Sequence, residues 1–153
     1  MKSDEQVEEY TAKAAFVYHF TKFVHWPEYD HPEFKITVFS ESPIIEPLKK
    51  IAKNKYTQDK KIKVLVGLEN YSADCQVLFV PKDVSVSKVN EIVEFYSNKP
   101  TLIISERRGM LEQGVDINLL VRKNKIRFEI NTQSLKTSGL NASSQLLKLA
   151  VNK

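Results

Sequence analysis

Three histidines, His19, His25 and His31, recur at intervals of six residues, the first place to look for a metal ligand set. On a helix that spacing carries successive side chains to different faces, and no helper carboxylate pair is evident, so no metal centre is expected. His19 falls inside an apolar arc and reads as a hydrogen-bonded core histidine; His25 falls on the outer face. Cys75 is the single cysteine, which rules out an intramolecular disulfide. It precedes a buried strand rather than facing a helix N-terminus, so nothing activates its thiol. A phosphate cradle needs glycines, and only Gly67, Gly109, Gly114 and Gly139 exist. Gly109 and Gly114 have the gap of a P-loop, but Val115 and Asp116 stand where Lys and Ser or Thr are required. A receiver-type acidic pocket is missing too: Glu41 is single after the first strand, and Pro81 with Lys82 follows the third. No G-x-S-x-G elbow occurs. No catalytic residue, metal or cofactor is expected, and the chain is read as a non-enzyme.

Two charged groups remain as ligand-binding candidates. Glu106 and Arg107, followed by Arg108, end a strand in the loop SERRGM (105 to 110), where a solvated turn and an anion site are both open readings. Arg127 and Glu129 alternate with Ile126, Phe128 and Ile130, so they share one strand face and can pair with each other or with the terminal helices.

Charge distribution narrows the partners. Residues 49 to 63, KKIAKNKYTQDKKIK, hold seven lysines against Asp59, a local balance of +6 in a chain of formal charge +4, so the remainder is −2. That basicity belongs to one segment, without arginine or glycine, and reads as a solvated loop or helix edge rather than a nucleic-acid site. No run of apolar residues is long enough to span a membrane. The start, MKSDEQVEEY, lacks an apolar leader, as it would after removal of a signal peptide.

The elements that must position these residues follow from periodicity. Ser3 and Gln6 form a capping box that opens a helix. On it Ala12, Ala15, Phe16, Phe20, Phe23 and Val24 share a broad face, with Tyr10, Tyr18, Lys22 and His25 on the other, and Pro27 ends the run at Trp26. Strands are expected at 34 to 39, 61 to 67, 75 to 80 and 100 to 105, and helices at 44 to 53 and 84 to 98. The segments 117 to 122 and 125 to 130 flank Lys123 and Asn124 as a hairpin. Two terminal helices separate at Gly139. This pattern predicts a single α/β domain over residues 1–153: a mostly parallel Rossmann-like or flavodoxin-like sheet, helices on both faces, and a C-terminal edge hairpin.

In this order, KAAFVYHFTKFVHWP (13 to 27), CQVLFV (75 to 80), TLIISERRGMLEQG (101 to 114) and KIRFEINTQSLKTSGLNASSQLLKLA (125 to 150) make the chain resemble the YfiR family of exported bacterial proteins. The resemblance implies a periplasmic α/β protein that restrains a membrane-bound diguanylate cyclase by binding its periplasmic sensor domain, without enzymatic activity. Two departures stand out: Cys75 lacks the partner that redox-responsive members use, and His25 replaces an acidic residue common in the motif. Related domains fused to other sensors imply an alternative, a periplasmic small-ligand sensor module acting on a receptor such as a sensor kinase. On either reading the partner is the periplasmic domain of a membrane signalling protein, met without membrane insertion and with a homodimer expected. Tyr18, His25 and Trp26 are candidates for the contact surface because aromatic residues are enriched at interface centres. The terminal residues Ser144, Leu147 and Val151 join them, Leu147 with a core role equally open.

Overall fold

A computed structural model describes residues 3–27, 31–67 and 75–152. Helix α1 (Asp4–Phe23) opens where Ser3 Oγ accepts the Gln6 N–H at 3.1 Å, with Asp4 and Glu5 in its first turn and Lys22 in its last, as the helix dipole favours. It is followed by β1 (Val24–His25), β2 (Glu33–Val38), α2 (Ile45–Asn54), β3 (Tyr56–Thr57) and β4 (Lys60–Val66). Then come β5 (Val77–Val80), α3 (Val86–Tyr96), β6 (Leu102–Ser105), a 3-10 turn (Leu111–Gln113), β7 (Ile117–Arg122) and β8 (Lys125–Ile130). The chain closes with α4 (Thr132–Thr137), β9 (Asn141–Ala142) and α5 (Ser144–Leu149).

Seven strands form one sheet in the order β3-β4-β2-β5-β6-β7-β8, and β1 pairs separately with β9. The expectation of a mostly parallel sheet is corrected to a mixed one. The central pairings β4·β2, β2·β5, β5·β6 and β6·β7 are parallel, whereas β3·β4 and β7·β8 are antiparallel hairpins at the two edges. Lys123 and Asn124 turn the second hairpin with φ of 51° and 62°, as a two-residue turn between right-twisted strands requires. The first turns at Gln58 and Asp59, also left-handed, without the Asn-Gly signal that would have marked it.

Alternation along the strands sorts two cores. Phe34, Ile36, Phe79, Ile104 and Phe128 face one side, under α1 and α2 with Leu135 of α4 and Leu146 of α5. Leu78, Val80 and Ile103 face the other, under Val89, Ile92 and Tyr96 of α3.

The stripe of α1 differs from its sequence reading. Tyr10, Lys13, Ala14, Val17, Phe20 and Thr21 are buried, a three-and-four spacing, while Phe16 and Phe23 are half-buried. The displaced stripe takes in Tyr10, expected outside, and leaves His19 exposed, so His19 is not a core histidine. The reason is Lys13: a charge in the middle of an apolar stripe reads as solvent-facing unless a buried partner awaits it. The helix also stops at Phe23, earlier than Trp26, because Val24 and His25 go extended to pair with Ala142 and Asn141.

Candidate functional site

The carboxyl ends of β5 and β6, where open α/β sheets commonly hold ligands, are occupied here by the protein's own charges. Glu106 leaves β6 buried, and its Oε1 accepts from Lys13 Nζ at 2.6 Å and from Tyr10 OH at 2.9 Å. Its Oε2 accepts the backbone N–H of Lys82 at 3.2 Å. Lys13 Nζ also reaches Glu9 Oε2 at 2.6 Å and stands 4.6 Å from the centre of the Tyr10 ring. Burial, with the Glu106 carboxylate beside it, pushes the Tyr10 phenol far above its ordinary range, so it stays a hydrogen-bond donor. Glu106 is therefore not an open ligand-binding group: its lone pairs are spent on fastening α1 to the sheet. Nothing local in the sequence joins Tyr10 and Lys13 to residue 106, so only the fold reveals them as its partners.

Arg107 is exposed, and its Nη1 donates to the Val84 carbonyl at 3.1 Å, bracing the loop before α3. Beneath it lies a second buried network. Ser105 Oγ donates to Asn118 Oδ1 at 2.7 Å, and Asn118 Nδ2 donates to the Arg107 carbonyl at 2.9 Å. Asp116 accepts the Ile103 N–H at 2.8 Å and the Ser134 hydroxyl at 2.6 Å, joining β6 to α4. Burial pushes its carboxyl up to about 6, against the pull of those two donors, which favour the charged form. Arg127 and Glu129 lie on the outer side of β8, opposite Leu120 and Asn118, and no ion pair joins them to each other. Arg127 Nη1 donates to the Ile126 carbonyl at 3.2 Å. The two ligand-candidate pairs do not converge on one cavity.

The partner candidates divide. Trp26 is only 4 % exposed, its Nε1 donates to the Gln76 carbonyl at 3.1 Å, and its ring meets Phe34 edge-on at 5.0 Å. It is corrected from a contact surface to a core anchor, because an indole with a backbone partner and an apolar wall satisfies both its halves inside. Tyr18 is half-buried, with its hydroxyl 3.3 Å from the Tyr56 carbonyl. His25 is exposed, opposite Asn141 in the β1·β9 pair. Cys75 is buried, with Sγ 3.8 Å from Tyr96 OH.

The terminal candidates do come together. Ser143 caps α5 by accepting the Leu146 N–H at 3.2 Å, and Leu146 and Ala150 are buried, which turns Leu147 and Ser144 into a groove against α4. That groove has a volume of about 610 Å³, with Leu111, Ile130 and Asn131 on its opposite wall. Beyond α5 the Val151 N–H donates to the Phe128 carbonyl at 2.9 Å. Asn152 then pairs both backbone groups of Ile130 through its side-chain amide, each at 2.9 Å. This tail covers part of the otherwise open edge of β8, a device that limits edge-to-edge pairing. Val151 and Leu149 are exposed beside the groove at 37 % and 68 %, and Leu149 is a surface residue that periodicity did not single out.

Among the described residues no cluster of His, Cys, Asp or Glu could hold a metal ion, and no helix is long and apolar enough to cross a membrane. No curated protein matches the chain. A family profile does, over residues 10–151, which takes in α1 from Tyr10, every described strand and the terminal groove up to Lys148; the chain belongs to the YfiR/HmsC-like family.

Proposed function

We propose that this protein is an exported, non-enzymatic regulator that works in the periplasm and restrains a membrane-bound diguanylate cyclase by binding its periplasmic sensor domain. Membership of the YfiR/HmsC-like family supports the reading, and the observation that carries it in this chain is the terminal apolar surface. Leu147 in the groove, with Leu149 and Val151 beside it, offers apolar area of the kind that protein contacts bury. A sensor domain with an active and an inactive state shifts only toward the state its partner binds more tightly, so the regulator must prefer the inactive one. The direct test is binding of the purified protein to the periplasmic domain of a membrane diguanylate cyclase from the same organism, with Leu147→Asp and Val151→Asp as interface variants.

One observation favours a second reading, a small-ligand sensor acting on another receptor such as a sensor kinase. The groove volume of about 610 Å³ falls within the range of small-molecule sites. A ligand that fills it raises the melting temperature, by linkage, with the logarithm of its concentration above Kd, whereas a pure docking surface shows no such rise.

A further inference from the structure

The outer edge of the sheet, at β3 and β4, carries the chain's concentrated positive charge. Ile62 and Val64 of β4 point into the core under α2, so Lys61 and Lys63 stand on the opposite side, both exposed. Lys35 of β2 is aligned beside Lys63 and is half-buried. Across the edge, α2 buries Ile45 and Leu48 and turns Lys49, Lys50 and Lys53 to water, and Lys55 follows, exposed. None of these exposed lysines is in an ion pair among the described residues. Tyr56, directly opposite Lys61 in the β3·β4 pair and so on the same face as Lys61, is 66 % exposed, the most open Phe, Tyr or Trp ring described. Its carbonyl takes the Tyr18 hydroxyl, and Lys22 Nζ stands 4.9 Å from the centre of the Tyr18 ring, which extends the positive rim along α1. Among the described residues, the acidic groups of the same region are Asp59 at the hairpin tip, Glu46 on α2 and Glu33, aligned with Lys61.

The chemistry of this edge points away from a single bound phosphate. Among the described residues it has no arginine fork for bidentate recognition, and the amide of Gly67, the glycine that follows β4, is already spent on the Val38 carbonyl at 2.8 Å. Lysines are flexible point charges with apolar stems, suited to a diffuse array of anionic headgroups, and a tyrosine among them is amphipathic in the way interfacial anchors are. A single-stranded nucleic acid would want several stacking rings along a groove, and one exposed ring among the described residues of this edge does not supply that. We propose that the β3–β4 edge, through Lys49, Lys53, Lys55, Lys61 and Lys63 around Tyr56, seats the protein peripherally on an anionic phospholipid surface. One exposed ring and no apolar helix face keep the contact at headgroup depth.

The test is co-sedimentation of the full chain with vesicles of phosphatidylglycerol and phosphatidylethanolamine, against vesicles of phosphatidylcholine. Binding is expected to the first and not the second, and to fall about tenfold or more when salt shortens the screening length. The triple variant Lys53→Glu, Lys61→Glu, Lys63→Glu should lose about tenfold or more in affinity, because each reversal turns attraction into repulsion. Tyr56→Ala should weaken binding severalfold, and Lys136→Glu on α4, also exposed, should leave it unchanged. All these positions are at the surface, so an unchanged melting temperature establishes that each variant is folded. Equal sedimentation of the triple variant, equal binding to phosphatidylcholine, no vesicle binding at all, or retention by single-stranded DNA without retention by vesicles would each overturn the proposal.

Discussion

Lys13 Nζ lies 2.6 Å from Glu106 Oε1, across 93 residues of sequence, with the two side chains 3 % and 1 % exposed. A buried pair of this kind contributes little net stability as a unit, yet stranding either member costs about 3 to 5 kcal/mol. Lys13→Met should therefore destabilise strongly, since Glu106 keeps only neutral donors. Glu106→Gln should cost less, because Lys13 retains Glu9. The double variant should recover a good part of the loss. Urea unfolding of the three variants checks this as a double-mutant cycle, and strict additivity would mean the two residues do not act as a pair.

Asp116 sets a pH dependence. Its folded-state carboxyl, raised by burial to about 6, holds a proton that the unfolded chain releases near 4. Between those values the native state binds more protons, so this group makes stability fall as pH rises from about 4 to about 6 and adds no slope above that window. The cost of ionising it in place is on the order of 3 kcal/mol. Asp116→Asn keeps an acceptor for Ile103 N–H and removes the charge. The difference between variant and parent in urea stability should therefore grow across pH 4 to 6 and then level off; a constant difference would place the titration elsewhere.

Phe20 is fully buried, with its ring 5.0 Å from Phe128 in an edge-on contact that joins α1 to β8. Phe20→Ala should cost about 3 to 5 kcal/mol through lost burial and the cavity left behind. A thermal melt that does not move would show that α1 is not packed on the sheet as described.

Gly114 has φ of 100°, and a Cβ built there would meet Val93 Cγ1 at 2.8 Å. Gly114→Ala then carries two penalties, backbone strain and a clash with α3, together about 1 to 3 kcal/mol. Adding Val93→Ala relieves the clash alone, so calorimetry of the pair should show partial rescue.

Much of the sheet was legible because its central strands are short apolar runs, and the hairpin at Lys123 and Asn124 carries a turn signal. The β3–β4 hairpin was not, because β3 is only two residues long and leaves no alternation to read on one side of the turn. That hairpin is one of the two antiparallel edges that make the sheet mixed. The pairing of Val24 and His25 with residues 141 and 142 was hidden for the same reason: two-residue strands have no periodicity to read. Trp26 illustrates the limit on sites, since an aromatic residue beside a helix end looks the same in sequence whether it faces a partner or Gln76. The convergence of Ser144 and Leu147 on one groove was within reach of the pattern, while Tyr10, Lys13 and Glu106 required the fold.

Isothermal titration of this protein into the periplasmic domain of a membrane diguanylate cyclase from the same organism, paired with cyclic di-GMP measurements in cells, tests the proposed restraint most directly. Saturable binding is expected, weakened about tenfold or more by Leu147→Asp, with raised cyclic di-GMP when the protein is deleted. No binding, with unchanged cyclic di-GMP in the deletion strain, would contradict it.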